Sequence, residues 1–312
     1  MRPHSAPDSA TPKAIGSAAA AIAVVPAVFV LLWSTGFIVA RYATPHAPPL
    51  TFLAARFAIT FALLLALIAW QRPPWPTSRR EWLGTIAVGI LLQAAYLGGV
   101  WFAISAGMPA GVSALIVGTQ PLWTLALGRV IGEHADRRQW LGILIGFGGM
   151  CLVLADRVTL SGVGIAALAA NLVGLAGITA GTLLQKQIGG GVDLRTGSAI
   201  QFGASVAVVL PAAAMLETLR IDPAPEFWLA MGWSVIGLSL VAISLLLGMI
   251  RRGRATAVAS LMYLTPAVTA ALAWWLFDQR LGATACAGMA VTMVGVALAR
   301  SRPRPPRQLV QP

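Results

Sequence analysis

The chain is short of what a soluble domain places on its surface. Of its 312 residues only 10% are charged, and just ten are Asp or Glu, against about 25% charged in an ordinary soluble protein. Its three histidines, His4, His46 and His134, are scattered, which leaves no cluster of metal-ligand type. The two cysteines, Cys151 and Cys286, are not spaced as a metal pair and both fall inside apolar runs, where cysteine serves as a small buried hydrophobe. Glu133 to Asp136 (EHAD) resembles a ligand set but sits among arginines in a short polar gap. The triplet Gly189 to Gly191 lacks the Lys-Ser/Thr that would make it a phosphate cradle. These absences exclude a metal or cofactor, and leave an enzyme of lipid-linked substrates without the paired acids or histidines it would need.

What is present is hydrocarbon. Apolar residues make up 58% of the chain, and crossing about 30 Å of bilayer takes about 20 helical residues. Ten runs of about that length follow one another: 20–42, 49–70, 82–104, 109–131, 139–156, 162–184, 196–216, 226–250, 255–276 and 281–300. The gaps are too short for a soluble domain, so any function lies within or between helices. Residues 1–19 and 301–312, rich in Ser, Pro, Ala and Arg, read as disordered tails.

A duplication organises the runs. An offset of 145 carries Gly36 to Gly181, Arg41 to Lys186, Phe57 to Phe202, Glu81 to Glu226, Pro121 to Pro266 and Glu133 to Asp278. One inserted residue later, Gly142 and Gly149 meet Gly288 and Gly295. Five spans per copy is an odd number, so the copies cross the membrane in opposite senses. The expectation is an all-α polytopic membrane protein of ten transmembrane helices in two inverted five-helix repeats, residues 20–158 and 159–300. Such architecture is typical of secondary carriers with a site near mid-depth.

The net charge of +12 would point to nucleic acid on a soluble protein. Here 17 basic residues fall on one set of loops and four on the other, a positive-inside bias that puts both termini in the cytoplasm and leaves the lipid bilayer as the charge's partner. Oligomeric state is not encoded in any of these patterns.

Pro121 and Pro266 lie about 18 Å into the fourth and ninth spans from opposite faces. Each lacks an amide hydrogen and crowds the carbonyl four residues earlier, so each frees backbone polarity that lipid cannot satisfy. Thr119, Gln120 and Thr265 are placed to line a wet gap there. Trp33 lies near mid-depth, away from the interfaces that membrane tryptophans prefer, and with Phe37 one turn on offers an apolar platform for a small-molecule substrate. Tyr96, Asn171 and Tyr263 complete the predicted substrate-binding set; Tyr263 pairs with Gly118, so the halves present different side chains to the centre. Arg56 is the one full charge well inside a span, either an anion receptor or a structural clamp, and its pair in the other copy is Gln201. Glu133 and Asp278 are read, with Arg56, as structural charges. No acid lies inside a span, which removes the usual proton-coupling carboxylate.

LLWSTGFIVAR in the first span, the Arg of AARFAI in the second and the Pro121, Glu133, Gly142 spacing resemble the EamA-type branch of the drug/metabolite transporter superfamily over about residues 20–300. The resemblance implies a carrier in the bacterial inner membrane that exports small metabolites, often amino acids or derivatives, by alternating access. The family often has Gly-Glu where this chain has Phe277-Asp278. The alternatives are a drug efflux carrier, a membrane enzyme and a non-transporting assembly partner.

Overall fold

The computed structural model describes residues 12–128, 136–156, 162–188, 191–242, 245 and 265–299, with side chains from residue 27 onward. Among them every regular element is helical. In chain order these are α1 (Pro12–Ala43), α2 (Pro49–Gln71), α3 (Arg79–Ser105), α4 (Ala110–Gly118), α5 (Gln120–Gly128), α6 (Arg137–Ala155), α7 (Ile165–Ile188), α8 (Leu194–Leu216), α9 (Pro225–Ala242), α10 (Thr265–Phe277) and α11 (Ala283–Ala299). Six of them, α2, α3, α6, α7, α8 and α9, are long and apolar enough to cross a membrane; α10, α11 and the Ala27–Ala43 part of α1 are shorter apolar helices. The protein is a polytopic, all-helical membrane protein.

Local chemistry sets the helix ends. Ser78 and Glu81 form a reciprocal capping box on α3, and Asp136 and Gln139 do the same on α6, each satisfying two backbone amides that a helix start leaves open. Pro49 and Pro225 begin α2 and α9, where a missing N–H costs nothing. α1 is already helical at Pro12, eight residues before the first apolar run, through an Ala-rich stretch of high helix propensity. Shifted by 145, the bounds Pro49–Gln71 become Leu194–Leu216.

Two antiparallel pairs join helices that the offset relates, α2 with α8 and α6 with α11, and α4 packs antiparallel on α10. The α6–α11 pair shows why the glycines matter. A Cβ on Gly295 would fall 2.5 Å from the Gly146 Cα and 2.7 Å from the Gly142 carbonyl oxygen, so only a hydrogen lets the two backbones touch. Close approach of small residues is what holds helices together where lipid removes the hydrophobic drive. α3 lies on α7, and α1 lies across α9 and α10.

The outward faces are apolar. The tryptophans at span ends, Trp70, Trp82, Trp140, Trp228, Trp274 and Trp275, are all exposed, as an interfacial belt requires. Cys151 and Cys286 correct the sequence reading, because both are exposed rather than buried. An apolar run fixes that a residue is in hydrocarbon, and here the hydrocarbon is lipid on the outside of the bundle.

Candidate functional site

The site grows from one interrupted helix and the proline-bearing helix that faces it. α4 stops at Gly118, Thr119 takes φ −77° and ψ −6°, and α5 resumes at Gln120. Pro121 has no N–H to continue the ladder, and the Thr119 hydroxyl occupies the Ile116 carbonyl at 2.6 Å. Gln120 donates to Thr124 Oγ1 at 3.1 Å. Across from this break lies Thr265 of α10, whose buried Oγ1 has no partner among the described residues. Pro266 follows and is buried, whereas Pro121 is half-buried.

Pro266 meets this break through Gly118 rather than Pro121. A Cβ on Gly118 would lie 3.0 Å from Pro266 Cγ, and one on Gly111 would lie 3.0 Å from Ala270 Cα, so α4 and α10 run antiparallel in backbone contact. Beside the Gly118–Pro266 contact lies a cavity of about 10 Å³ lined by Leu115, Thr292, Met293 and Val296, room for about one water.

The other predicted residues are distributed around this point. Trp33 is half-buried and packs on Phe29, ring centroids 5.5 Å apart, in a small cluster with Ala242 and Val268. Phe37 and Tyr96 are buried in the main core, between α1, α2, α3 and α9. α1 is tied to α10 where Thr269 Oγ1 donates to the Ser34 carbonyl at 3.4 Å. Asn171 lies apart, fully buried on α7, its amide donating to Met108 Sδ and its Oδ1 unpartnered among the described residues. Tyr263 and Glu133 lie outside the described residues. Asp278 is exposed at the end of α10, in the left-handed region at φ 48°, paired only with Arg280 at 3.1 Å. The left-handed residue is thus Asp278 itself and not Phe277, where the family often has Gly.

Arg56 is not at the membrane surface. It is buried, and both of its hydrogen bonds among the described residues go to one neutral acceptor, Ser239 Oγ, at 3.2 Å from Nε and 3.1 Å from Nη2. Ser239 lies in a stretch of α9, Trp233–Ala242, wound with five-residue hydrogen bonds, and its hydroxyl donates to the Ser234 carbonyl five residues back. α3 is wound in the same way at Ile90–Ala95, where Tyr96 N–H reaches the Leu91 carbonyl. Shifted by 145, that stretch falls within the one in α9. Such wide turns are costly and cluster at functional places. Hydropathy carries no sign of them; their only sequence trace is the polar residues Gln93 and Ser239.

At the bundle end where α1 meets α2, side chains of one half cap helix starts of the other. Glu217 accepts from Leu50 N and Thr51 N and Oγ1 at 2.7–2.9 Å; Gln279 accepts from Ala110 N at 3.2 Å, and Asp156 from Ala285 N at 2.9 Å. Each supplies an acceptor to amides that a helix start cannot pair itself. Sequence reasoning passed over all three, because each sits just past an apolar run and its role appears only once its partner helix is known.

The model of the EamA-like transporter family matches twice in succession, over residues 19–155 and 161–301. The chain belongs to the EamA-like transporter family. This EamA-like transporter is 28% identical over 268 residues to the "Uncharacterized inner membrane transporter YedA" of Escherichia coli (strain K12), covering 86% of this chain and 87% of that one. It is 32% identical over 127 residues, 40% of each chain, to a "Probable amino-acid metabolite efflux pump" of Salmonella typhimurium. A solved structure titled "Crystal structure of protein" matches 90% of this chain and 96% of its own at a TM-score of 0.59 and 18% identity, a likeness of fold. Family membership points to transport rather than catalysis.

Proposed function

We propose that the protein is an inner-membrane carrier that exports small metabolites, amino acids or their derivatives, by alternating access. Its ten spans form two inverted halves, residues 20–158 and 159–300, with both termini in the cytoplasm. The observation that carries the reading is the contact between the helix break at Gly118–Gln120 and Pro266 of the other half. Two supports join it: the two successive family matches, and the coincidence of helix bounds and wide-turn stretches under one offset.

The chemistry follows from that meeting. Backbone breaks at mid-depth give a substrate polar contacts inside hydrocarbon. Opening requires the α4–α10 contact to slide, and Gly118 on Pro266 is a smooth, side-chain-free bearing for it. Thr119, Gln120, Thr265 and Tyr263 are the polar lining, with Trp33, Phe37 and Tyr96 as apolar walls; Pro121 and Pro266 shape the moving segments. The caps from Glu217, Gln279 and Asp156 close the periplasmic end of the pathway in this conformation, and must separate for release.

Reconstituted protein assayed with a panel of labelled amino acids, with and without an imposed pH gradient, tests this. Saturable flux above empty vesicles is expected for at least one member, unchanged by the gradient because no carboxylate lies within a span. Absence of flux across the panel refutes the substrate class.

A further inference from the structure

Resting on that reading, the structure also narrows the cargo. We propose that Arg56 receives the anionic group of the substrate, and that this group is a carboxylate, held against the wide-turned stretch of α9.

The argument begins with charge balance. A guanidinium carries five N–H donors and one full charge, and taking it out of water is expensive unless it is paired. Arg56 is buried, yet none of the ten carboxylates in the chain falls in the interior of an apolar run. The carboxylate at the adjoining end of the α2–α8 pair, Glu217, already has both oxygens on the start of α2. Along α2, Thr51 and Arg56 are separated by about 7.5 Å of helix rise. What Arg56 holds instead is a single hydroxyl, shared between Nε and Nη2. An incoming carboxylate replaces this neutral contact with the paired, charge-assisted geometry that the planar fork matches.

The surroundings favour one small organic anion. Tyr96 lies within electrostatic range of Arg56, and Phe52, Phe57 and Val235 belong to the same apolar core, walls suited to a hydrocarbon side chain. One guanidinium pairs with one carboxylate, whereas a phosphate dianion brings a second negative charge that it leaves uncompensated; the α-ammonium of an amino acid then falls to neutral acceptors. The corresponding position in the other half is Gln201, bonded to Gln185 at 3.1 Å; the carrier therefore offers one anion seat, not two. Ser239 rides on turns already widened by one residue, so its displacement by ligand falls where the helix is least regular, and links occupancy to movement of α9.

The test is counterflow in proteoliposomes loaded with labelled L-leucine, L-phenylalanine or L-threonine. Each is competed by the free amino acid, by its amide, which lacks the carboxylate charge, and by glycerol 3-phosphate. In the wild type the free acid is expected to compete at least about tenfold better than the amide, with no competition from the phosphate ester. Arg56→Gln, which copies the residue at position 201, should abolish the preference for acid over amide while leaving competition by the amide unchanged. Arg56→Lys should keep part of it. Binding read as a thermal shift of the detergent-solubilised protein gives the same comparison without flux, and serves for any variant that reconstitutes poorly. A wild type indifferent to the carboxylate, stronger competition by glycerol 3-phosphate, an Arg56→Gln variant that keeps the preference, or one that loses acid and amide equally would each overturn the proposal. If the wild type carries and binds none of the three amino acids, the exporter reading fails first and this assignment falls with it; if it carries them without regard to Arg56, only the assignment fails.

Discussion

Replacing Gly295 with alanine places one methyl group where two helices already touch. The new Cβ would lie 2.5 Å from the Gly146 Cα and 2.7 Å from the Gly142 carbonyl oxygen, whereas carbon atoms rest at about 3.5–4.0 Å. The shortfall is about 1 Å, and the atoms in the way are backbone, which has no rotamer to escape into. α6 and α11 must therefore separate by about that distance, and a gap of 0.5–1 Å forfeits roughly a quarter to a half of each dispersion contact along the seam. Overpacking of this kind costs about 1–3 kcal/mol, and at about 2–4 °C per kcal/mol for chains of roughly this size the melting temperature in detergent should fall by about 5 °C. Gly148, on the same helix as Gly146, has nothing within 4 Å of its own built Cβ, so Gly148→Ala is the matched control and should leave stability unchanged or slightly raised through helix propensity. Thermal aggregation followed by fluorescence-detected size exclusion reads both. Equal melting temperatures for the two variants would refute the reasoning that this seam is set by backbone contact.

Gly118→Val should reduce flux at least tenfold, because its side chain would be driven into Pro266, while the melting temperature moves far less than in Gly295→Ala; unchanged flux would remove Gly118 from the moving contact. Glu217→Ala strips charge-assisted acceptors from two amides and a hydroxyl at the start of α2, and should cost about 1–3 kcal/mol in the same melting assay, with Glu217→Gln losing less. At the opposite end of α8, hydrogen bonding from the Arg195 side chain holds the Asp193 carboxyl below its ordinary value. Its folded pKa lies under its unfolded one, so the stability it adds is complete above the ordinary carboxylate range and disappears as pH falls through the folded value. Melting curves at descending pH should therefore show an acid limb that Asp193→Asn flattens.

How far the sequence reached can be judged residue by residue. The placement of Pro121 and Pro266 at equal depth rested on counting from span ends, and a helix break lies beside Pro121. It could not say that Gly118, three residues earlier, is what Pro266 touches, because the partner face of a helix depends on rotation about its axis. Trp33 and Asn171 have the depth expected of cavity residues yet pack into separate clusters for the same reason. Arg56 was visible as a charge in hydrocarbon; that it faces inward onto Ser239, and not up toward the lipid surface, required α9 to be in place.

Composition and periodicity alone determined the class of this molecule, and set the spans, duplication and positive-inside orientation expected of it, since each follows from the cost of putting charge and open backbone into lipid. That cost depends on depth, and depth is read along the chain. Which residues meet, which halves cap each other, and where α3 and α9 widen were decided only by the tertiary structure. Those are matters of azimuth and contact between segments more than 100 residues apart, such as Arg56 and Ser239, and no local rule carries them.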